Sequence, residues 1–285
     1  MEKVKDTWLE FFQLASDDQA GWWQRKKTSY RERGAEIARI TGHGHVFESI
    51  RYGKQTVYQY LLHLALLIRQ NGKFIREEQV IPYWFQLEDD RITGHWRVER
   101  DAEPVEPGHT HPVSNATGEN RSVERFDYDR RAAVQYAERW WNSYNPEYRK
   151  FDVDCTNFVS QCMRAGGAPM RGAPDRESGW WYGEDNWSYS WAVAHSLRWY
   201  LSGSTAGLKG KEMESASDLI PGDIICYDFA GDGRWDHNTI VVAKDPDGMP
   251  LVNAHTDNSR NRYWSYEDSL AWTPDTQYKF FRIGE

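Results

Sequence analysis

The sequence has little cysteine, no excess of basic residues and no long hydrophobic run. Three cysteines in 285 residues cannot all pair within the chain, and disulfide-stabilised secreted miniproteins carry many more, so we predict a reducing compartment. With 35 Lys and Arg against 43 Asp and Glu, the formal net charge is −8. This balance argues against binding to nucleic acid or to an anionic membrane surface.

Neither a signal peptide nor a membrane span is recognisable in the sequence. Asp6, Glu10 and Gln13 interrupt the apolar residues of the N-terminal segment before a signal-like run can form. The most apolar stretch, 58–68, is far shorter than the roughly 18 residues that a spanning helix needs. We therefore predict a cytoplasmic protein without membrane insertion, and leave signal-independent export or association with spores as alternatives.

Aromatic residues, in contrast, are abundant. The chain has 15 Trp, 16 Tyr and 11 Phe within a hydrophobic fraction of 39%, which supplies enough apolar surface to fold and excludes a disordered chain. A length of 285 residues favours two domains. The segment 101–122 has three prolines and few apolar residues, as exposed linkers do. We predict an N-terminal domain at 1–100, a linker at 101–122 and a C-terminal domain at 123–285.

The N-terminal domain is predicted to be α+β. Apolar residues at helical spacing around Trp8 indicate one helix, and a second is predicted to reach about Ile40. Beyond His43, turn-like segments separate stretches rich in Val, Ile, Tyr and Phe, which predicts a four-stranded antiparallel meander. The stretch 56–68 also fits helical spacing, so a helix is the alternative there. This architecture is similar to NTF2-like and cystatin-like modules, but it does not fix a function.

In the C-terminal domain, a cysteine is predicted to open a helix. Asp154 can cap the helix and Gly166 can end it, which makes Cys155 the first residue of about 11 helical residues. Free N–H groups and the positive end of the helix dipole favour a thiolate at this position. The sequence therefore predicts a lowered pKa for Cys155 and a nucleophilic sulfur.

A histidine that could serve as the base, His237, begins a predicted strand about 80 residues further on. The apolar run 240–243 indicates that this strand is buried in a sheet, and an imidazole at its start can project into a cleft. The next antiparallel strand contains Asn253 and His255, which are two positions apart and so share a face. Either residue could hold the His237 ring through a hydrogen bond.

These residues stand in four motifs whose order closely resembles that of a bacterial family. The motifs are Asp154-Cys155-Thr156-Asn157-Phe158-Val159-Ser160-Gln161, Leu219-Ile220-Pro221-Gly222-Asp223-Ile224, Trp235-Asp236-His237-Asn238-Thr239-Ile240-Val241 and His255-Thr256-Asp257-Asn258. Over about 127–282 the chain resembles the putative amidase-domain family, which is similar to the NlpC/P60 and CHAP cysteine peptidases. The resemblance implies that Cys155 is the nucleophile, His237 the general base and His255 the orienting residue, with Asn253 as the alternative.

The resemblance also implies a fold and a reaction. The fold is a papain-like α+β domain, in which a helix packs on an antiparallel sheet, and the reaction is hydrolysis of an amide bond through an acyl-enzyme. The implied substrate is a peptide or a peptidoglycan fragment, with no cofactor and no metal. Two alternatives stay open: the same Cys and His could transfer the acyl group to an amine, or the domain could be a non-catalytic module that binds peptide or glycan.

Some side chains that could take part in catalysis or binding are predicted to be structural instead. Cys162 and Cys226 lie in apolar patterns that predict burial. His195 has no evident partner in the sequence and is predicted to be structural. The aromatic residues around Trp187 and Trp191 could form a stacking cleft for substrate, but their helical spacing favours a role in covering the core.

Two possible metal sites are also rejected on the sequence. His109 and His111 lie in the predicted linker without a third ligand nearby, which indicates solvated side chains. The aspartates of 228–236 resemble a calcium loop, but Ala230 and Thr239 stand where that loop requires ligands. A polar hairpin is predicted there.

Overall fold

The computed structural model describes residues 2–14, 21–89, 91–98 and 126–284. The chain divides into two compact units: Met1–Asp101 with Tyr266–Leu270, and Ala102–Ser265 with Ala271–Glu285. The assignment of Tyr266–Leu270 to the first unit differs from the sequence prediction, which placed all of 123–285 in the second domain. The predicted linker at 101–122, with its two histidines, lies outside the described residues.

The first unit contains two helices and four antiparallel strands. Their bounds are α1 Glu2–Leu14, α2 Gly21–Glu32, β1 Ala35–Tyr52, β2 Gln55–Gln70, β3 Lys73–Glu88 and β4 Arg91–Arg97. The strands pair in chain order, so the predicted meander is confirmed. Between β2 and β3, Asn71 and Gly72 have φ values of 48° and 73°, the left-handed conformation that a two-residue hairpin turn requires.

Two features of this unit settle where the second helix ends and whether 56–68 is a strand or a helix. The second helix ends at Glu32, so the predicted end near Ile40 is wrong. Gly34 turns the chain at a φ of 63°, and β1 begins directly afterwards with Ala35 paired to Gln70. In β2 the buried side chains alternate along the strand, which excludes the helical alternative; they are Tyr60, Leu62, Leu64, Leu66 and Ile68.

The second unit is a mixed α+β domain with an antiparallel sheet. Its helices are α3 Arg130–Trp140, α4 Cys155–Ala165, α5 Tyr189–Ala192 and α6 Ala194–Gly203. Its strands are β5 Gly210–Met213, β6 Ile224–Asp228, β7 His237–Lys244, β8 Pro250–Ala254, β9 Asn258–Tyr263 and β10 Gln277–Ile283. They are arranged in the order β9-β8-β7-β6-β10-β5.

Helix α4 packs against the sheet through its apolar face. Phe158, Val159 and Cys162 are fully buried and share a core with Cys226 of β6 and Ile240 of β7. This packing confirms the predicted burial of both cysteines. It also fixes the first turn of α4 beside the first residues of β7.

The motif at 219–224 has a structural role in this unit. Asp223 is fully buried and accepts a hydrogen bond from Arg130 at 2.6 Å and one from Arg282 at 3.1 Å. Burial raises the pKa of Asp223, and the hydrogen bonds and charge of Arg130 oppose that rise. The carboxylate therefore joins the start of α3 to β10. No helix in the described residues is long and apolar enough to cross a membrane.

Candidate active site

Cys155 is the first residue of α4, as predicted, and its thiol points into the protein. The residue is only 1% exposed. Its Sγ lies 3.7 Å from the Thr156 hydroxyl oxygen, and the backbone N–H of Asn238 donates a hydrogen bond to the sulfur. The thiol thus contacts the start of β7, where His237 precedes Asn238.

The predicted lowering of the Cys155 pKa is wrong. Burial raises it; hydrogen bonds from Asn238 and Thr156 lower it, and the charge of Asp154 raises it further. A helix terminus contributes at most about 2 kcal/mol, or roughly 1.5 pH units, whereas complete burial can shift a pKa by about 3 to 5 units. Burial also raises the pKa of Cys162 and Cys226, but neither thiol receives a donor from a neighbouring side chain.

The donors at the sulfur belong to a small buried network. Asn238 Nδ2 donates to Thr156 Oγ1 at 2.9 Å, so the hydroxyl hydrogen of Thr156 is available to Cys155 Sγ. Both side chains are at most 1% exposed, and within the described residues Asn238 Oδ1 has no hydrogen-bond partner. Sequence reasoning did not single out Thr156 or Asn238. The available signal was that each follows a predicted catalytic residue directly.

His237 is the first residue of β7, as predicted, and its ring is buried. It is paired with Tyr227 of β6, whose ring centroid is 5.6 Å away. Burial lowers the pKa of His237 to about 3; the charge of Arg262 lowers it further and that of Asp257 opposes the decrease. The imidazole is therefore neutral near pH 7 and able to accept a proton.

The thiol and the imidazole flank the same peptide unit without a hydrogen bond between them. Asn238 faces α4, because it reaches Thr156. Successive side chains of a strand point to opposite faces, so His237 leaves β7 on the other face, next to Tyr227. Hydrogen bonds between catalytic groups are often long or poorly aligned in ligand-free enzymes and tighten when substrate binds. Proton transfer from Cys155 to His237 therefore requires the imidazole to move toward the α4 side of β7.

His255 contacts the helix start instead of His237. Its Nδ1 lies 2.7 Å from an Asp154 carboxylate oxygen, its Nε2 lies 2.8 Å from the Trp140 carbonyl, and its ring stacks on Phe158 at 4.0 Å. A carbonyl can only accept, so Nε2 carries a hydrogen. His255 thus links Asp154, directly before the helix, to the Trp140 carbonyl.

The alternative orienting residue, Asn253, is also engaged elsewhere. Its Nδ2 donates to Glu138 at 2.8 Å, and its Oδ1 accepts from the Asn261 backbone N–H at 2.9 Å. The side chain therefore joins β8 to α3 and β9. The hydrogen bonds of both predicted orienting residues, His255 and Asn253, go to groups other than His237.

Asp154 differs from the predicted helix cap. Its side chain makes no capping bond to the backbone of α4. Instead Oδ1 accepts from the Phe151 backbone N–H and from Asn157 Nδ2, each at 2.9 Å. The Asp154 N–H donates to Thr256 Oγ1 at 3.3 Å, and Thr256 has a φ of 85°, a strained conformation for a β-branched residue. The segment before Cys155 is thereby fixed to the turn after β8.

The remaining sequence predictions have mixed outcomes. Trp191 is fully buried in the core, as favoured. His195 does have partners, because its Nδ1 lies 3.3 Å from the Trp235 backbone nitrogen and its Nε2 lies 3.1 Å from Trp199 Nε1. Asp228 accepts from the backbone N–H groups of a turn, which confirms the polar hairpin. Among the described residues, no group of three His, Cys, Asp or Glu side chains is arranged to hold a metal.

Sequence comparison identifies the family. The model of the putative amidase domain matches residues 127–281, more than half of the chain. The chain belongs to the putative amidase domain family. That description indicates hydrolysis of amides at a coarse level.

Two Bacillus subtilis proteins are similar to the chain. It is 61% identical over 171 residues to uncharacterized protein YhbB, covering 60% of this chain and 55% of YhbB. It is 32% identical over 146 residues to uncharacterized protein YjcM, covering 47% of this chain and 32% of YjcM. The chain thus spans about half the length of one relative and a third of the other. No solved structure gives a significant match, so the NTF2-like or cystatin-like interpretation of the first unit stays a prediction.

Proposed function

We propose that the chain is a cysteine-dependent amide hydrolase with a papain-like domain of the NlpC/P60 type. Cys155 is the nucleophile and His237 the general base. The observation that carries this proposal is the position of the Cys155 thiol, at the start of α4 and against the peptide unit that joins His237 to Asn238. Membership of the putative amidase family supports the same reaction class.

The resting pair is neutral, because burial raises the pKa of Cys155 and lowers that of His237 to about 3. The thiol proton therefore moves to His237 as the sulfur attacks the carbonyl carbon and forms the C–S bond. The carbonyl electron pair moves onto oxygen, for which the Cys155 N–H at the free end of α4 is a donor.

The second half of the reaction returns the proton. The imidazolium of His237 protonates the leaving amine as the C–N bond breaks, which gives an acyl-enzyme on Cys155 and a neutral histidine. His237 then takes a proton from water, and the resulting hydroxide releases the acid and restores the thiol. If an amine replaces this water, the same intermediate gives acyl transfer. Peptides, including peptidoglycan-type peptides, are the proposed substrates.

Amine release from peptidoglycan-derived peptides tests the proposal. Cys155→Ala is expected to lower the rate on the order of 10³-fold or more, because the residue forms the covalent bond. Cys162→Ala, on the same helix and buried in the core, is the matched control and is expected to retain activity. Equal activity of Cys155→Ala and wild type would contradict the cysteine mechanism.

One observation favours a second candidate, a non-catalytic peptide-binding module. The Cys155 residue is only 1% exposed, although a nucleophile must reach its substrate. Under this alternative, wild type and Cys155→Ala bind the peptides equally and neither releases amine. The amine-release assay therefore separates the two functions.

A further inference from the structure

Two arginines pack over one tryptophan close to the helix that carries Cys155. The guanidinium carbons of Arg149 and Arg176 lie 5.4 and 5.1 Å from the ring centroid of Trp187. Both arginines are exposed, and Trp187 is half-buried with its ring edge against Phe151 at 4.9 Å. We call these three residues, Arg149, Arg176 and Trp187, the arginine cluster.

The arginine cluster carries two positive charges on exposed side chains. Other arginines of this unit do form ion pairs, as Arg130 does with Asp223 and Arg260 with Glu138. Neither arginine of the cluster has such a pair among the described residues, although Glu147 and Asp152 are close to Arg149 in sequence and Asp175 and Glu177 flank Arg176. In a chain with a formal net charge of −8, two adjacent cations without a carboxylate are available to an anionic ligand.

Hydrogen bonds connect the arginine cluster to the start of α4. Asn157 Nδ2 donates to the Arg149 carbonyl at 2.9 Å, and Asp154 Oδ1 accepts from the Phe151 N–H at 2.9 Å. Asn157 Oδ1 in turn accepts from Trp191 Nε1 at 2.8 Å. The backbone that presents Arg149 is therefore held by the residues on either side of Cys155.

The chemistry of the cluster suits carboxylates. A guanidinium presents several N–H donors in a plane, which match the two oxygens of a carboxylate. Packing on an aromatic face restricts the guanidinium while its N–H edge stays available. Arg176 uses one of these donors, because its Nε donates to the Trp187 carbonyl at 3.1 Å.

From this arrangement we infer that Arg149 and Arg176 form a binding subsite for an acidic segment of the peptide substrate. The inference rests on the proposed function, and it adds the substrate class: peptides with carboxylate side chains near the amide that is cleaved. Trp187 packs against both arginines, and Arg176 also lies over the Tyr189 ring at 4.9 Å.

Binding can be measured without catalysis, in the full-length Cys155→Ala protein. The probes are fluorescein-labelled hexapeptides that differ only in carrying three Glu, three Gln or three Lys, and the readout is fluorescence anisotropy. The Glu peptide is expected to bind most tightly. Added salt is expected to weaken the binding of this peptide. Arg149→Gln with Arg176→Gln is expected to reduce Glu-peptide affinity about tenfold or more and to leave the Gln peptide unchanged. Arg139→Gln is the matched control, because Arg139 packs over a different tryptophan, Trp140, at 5.0 Å.

A second readout tests whether this subsite belongs to the Cys155 site. In wild type, the Glu peptide is expected to slow alkylation of Cys155 by iodoacetamide, and the double arginine variant to lose this protection. Equal binding of the Glu and Gln peptides, unchanged Glu-peptide binding in the double variant, or binding without protection would each overturn the inference. These outcomes do not depend on amide hydrolysis, so they are distinguishable from failure of the proposed function.

Discussion

The two units each bury a polar cluster, and the clusters differ in how their charge is balanced. In the first unit, Lys26 forms ion pairs with Glu77 and with Asp268, and the Tyr30 hydroxyl donates to Glu77 at 2.6 Å. Burial raises the pKa of Tyr30, and the charge of Glu77 raises it further, so the phenol stays protonated as a donor. In this cluster one buried cation is shared by two carboxylates.

In the second unit, the thiol of Cys155 and the imidazole of His237 are buried in their neutral forms instead. The thiol receives donors from Thr156 and Asn238, and the imidazole of His237 is kept uncharged by burial. Removing one partner of a buried ion pair lowers the stability of the fold by several kcal/mol. Neutral titratable groups, in contrast, can exchange a proton with each other. Perturbed pKa values of this second kind are typical of functional sites. The comparison therefore indicates a structural role for the first cluster and supports the proposed chemistry of the second.

The largest effect is expected from breaking the charge balance of the first unit. Lys26→Met leaves Glu77 and Asp268 buried without their cation and should lower the free energy of unfolding by about 3–5 kcal/mol. Urea denaturation measures the loss. Lys27→Met, at the neighbouring and more exposed position, is the matched control. The alkylation rate of Cys155 should be unchanged, and a large change in it would break the comparison.

The next effect is a pH dependence of stability that originates at His237. The folded chain binds the His237 proton only below about pH 3, whereas the unfolded chain binds it below about 6.5, so stability falls as the pH is lowered between these values. The slope is at most about 1.4 kcal/mol per pH unit for one proton. His237→Gln should remove it, as measured by urea denaturation at pH 7 and 5. His43→Gln, at an exposed position, is the control and should leave the slope unchanged. An unchanged slope in His237→Gln would show that His237 is not buried as described.

A double-mutant cycle separates the two roles suggested for His255. Because His255 bonds to Asp154, His255→Gln and Asp154→Asn should show a coupling energy of about 1–3 kcal/mol in unfolding. His255→Gln combined with His237→Gln should be additive within about 0.5 kcal/mol. Strong coupling of the two histidines would restore the sequence prediction that His255 orients His237.

The smallest effect concerns the donors at the sulfur. Thr156→Val keeps the side-chain shape but removes the hydroxyl, and should raise the pKa of Cys155 by about one unit and slow its alkylation about tenfold at pH 8. Thr156→Ser retains the donor and should react like wild type. Equal rates for the Val and Ser variants would exclude a role for this hydroxyl.

Local signals predicted the elements that carry the site. The start of α4 at Cys155 and its end before Gly166 followed from a helix start and stop close together in sequence, and the alternating burial of β2 follows a strand pattern. The second helix was extended too far because β1 is mostly exposed and its polar residues have no clear alternation; its position depends on pairing with β2.

Features that depend on distant partners were not predictable in this way. The partner of His255 and the assignment of Tyr266–Leu270 to the first unit depend on residues about a hundred or more positions away. The pKa of Cys155 was predicted in the wrong direction because the helix start is visible in the sequence whereas burial of the thiol is not.

The reactivity of the three cysteines tests the central claim, that Cys155 is the nucleophile, most directly. In the native chain, iodoacetamide alkylation of each cysteine can be followed by mass spectrometry of tryptic peptides between about pH 6 and 10. Cys155 is expected to react at least about tenfold faster than Cys162 and Cys226, because its sulfur receives hydrogen bonds from both Thr156 and Asn238, which stabilise the thiolate. Slow and equal alkylation of all three cysteines would contradict the account.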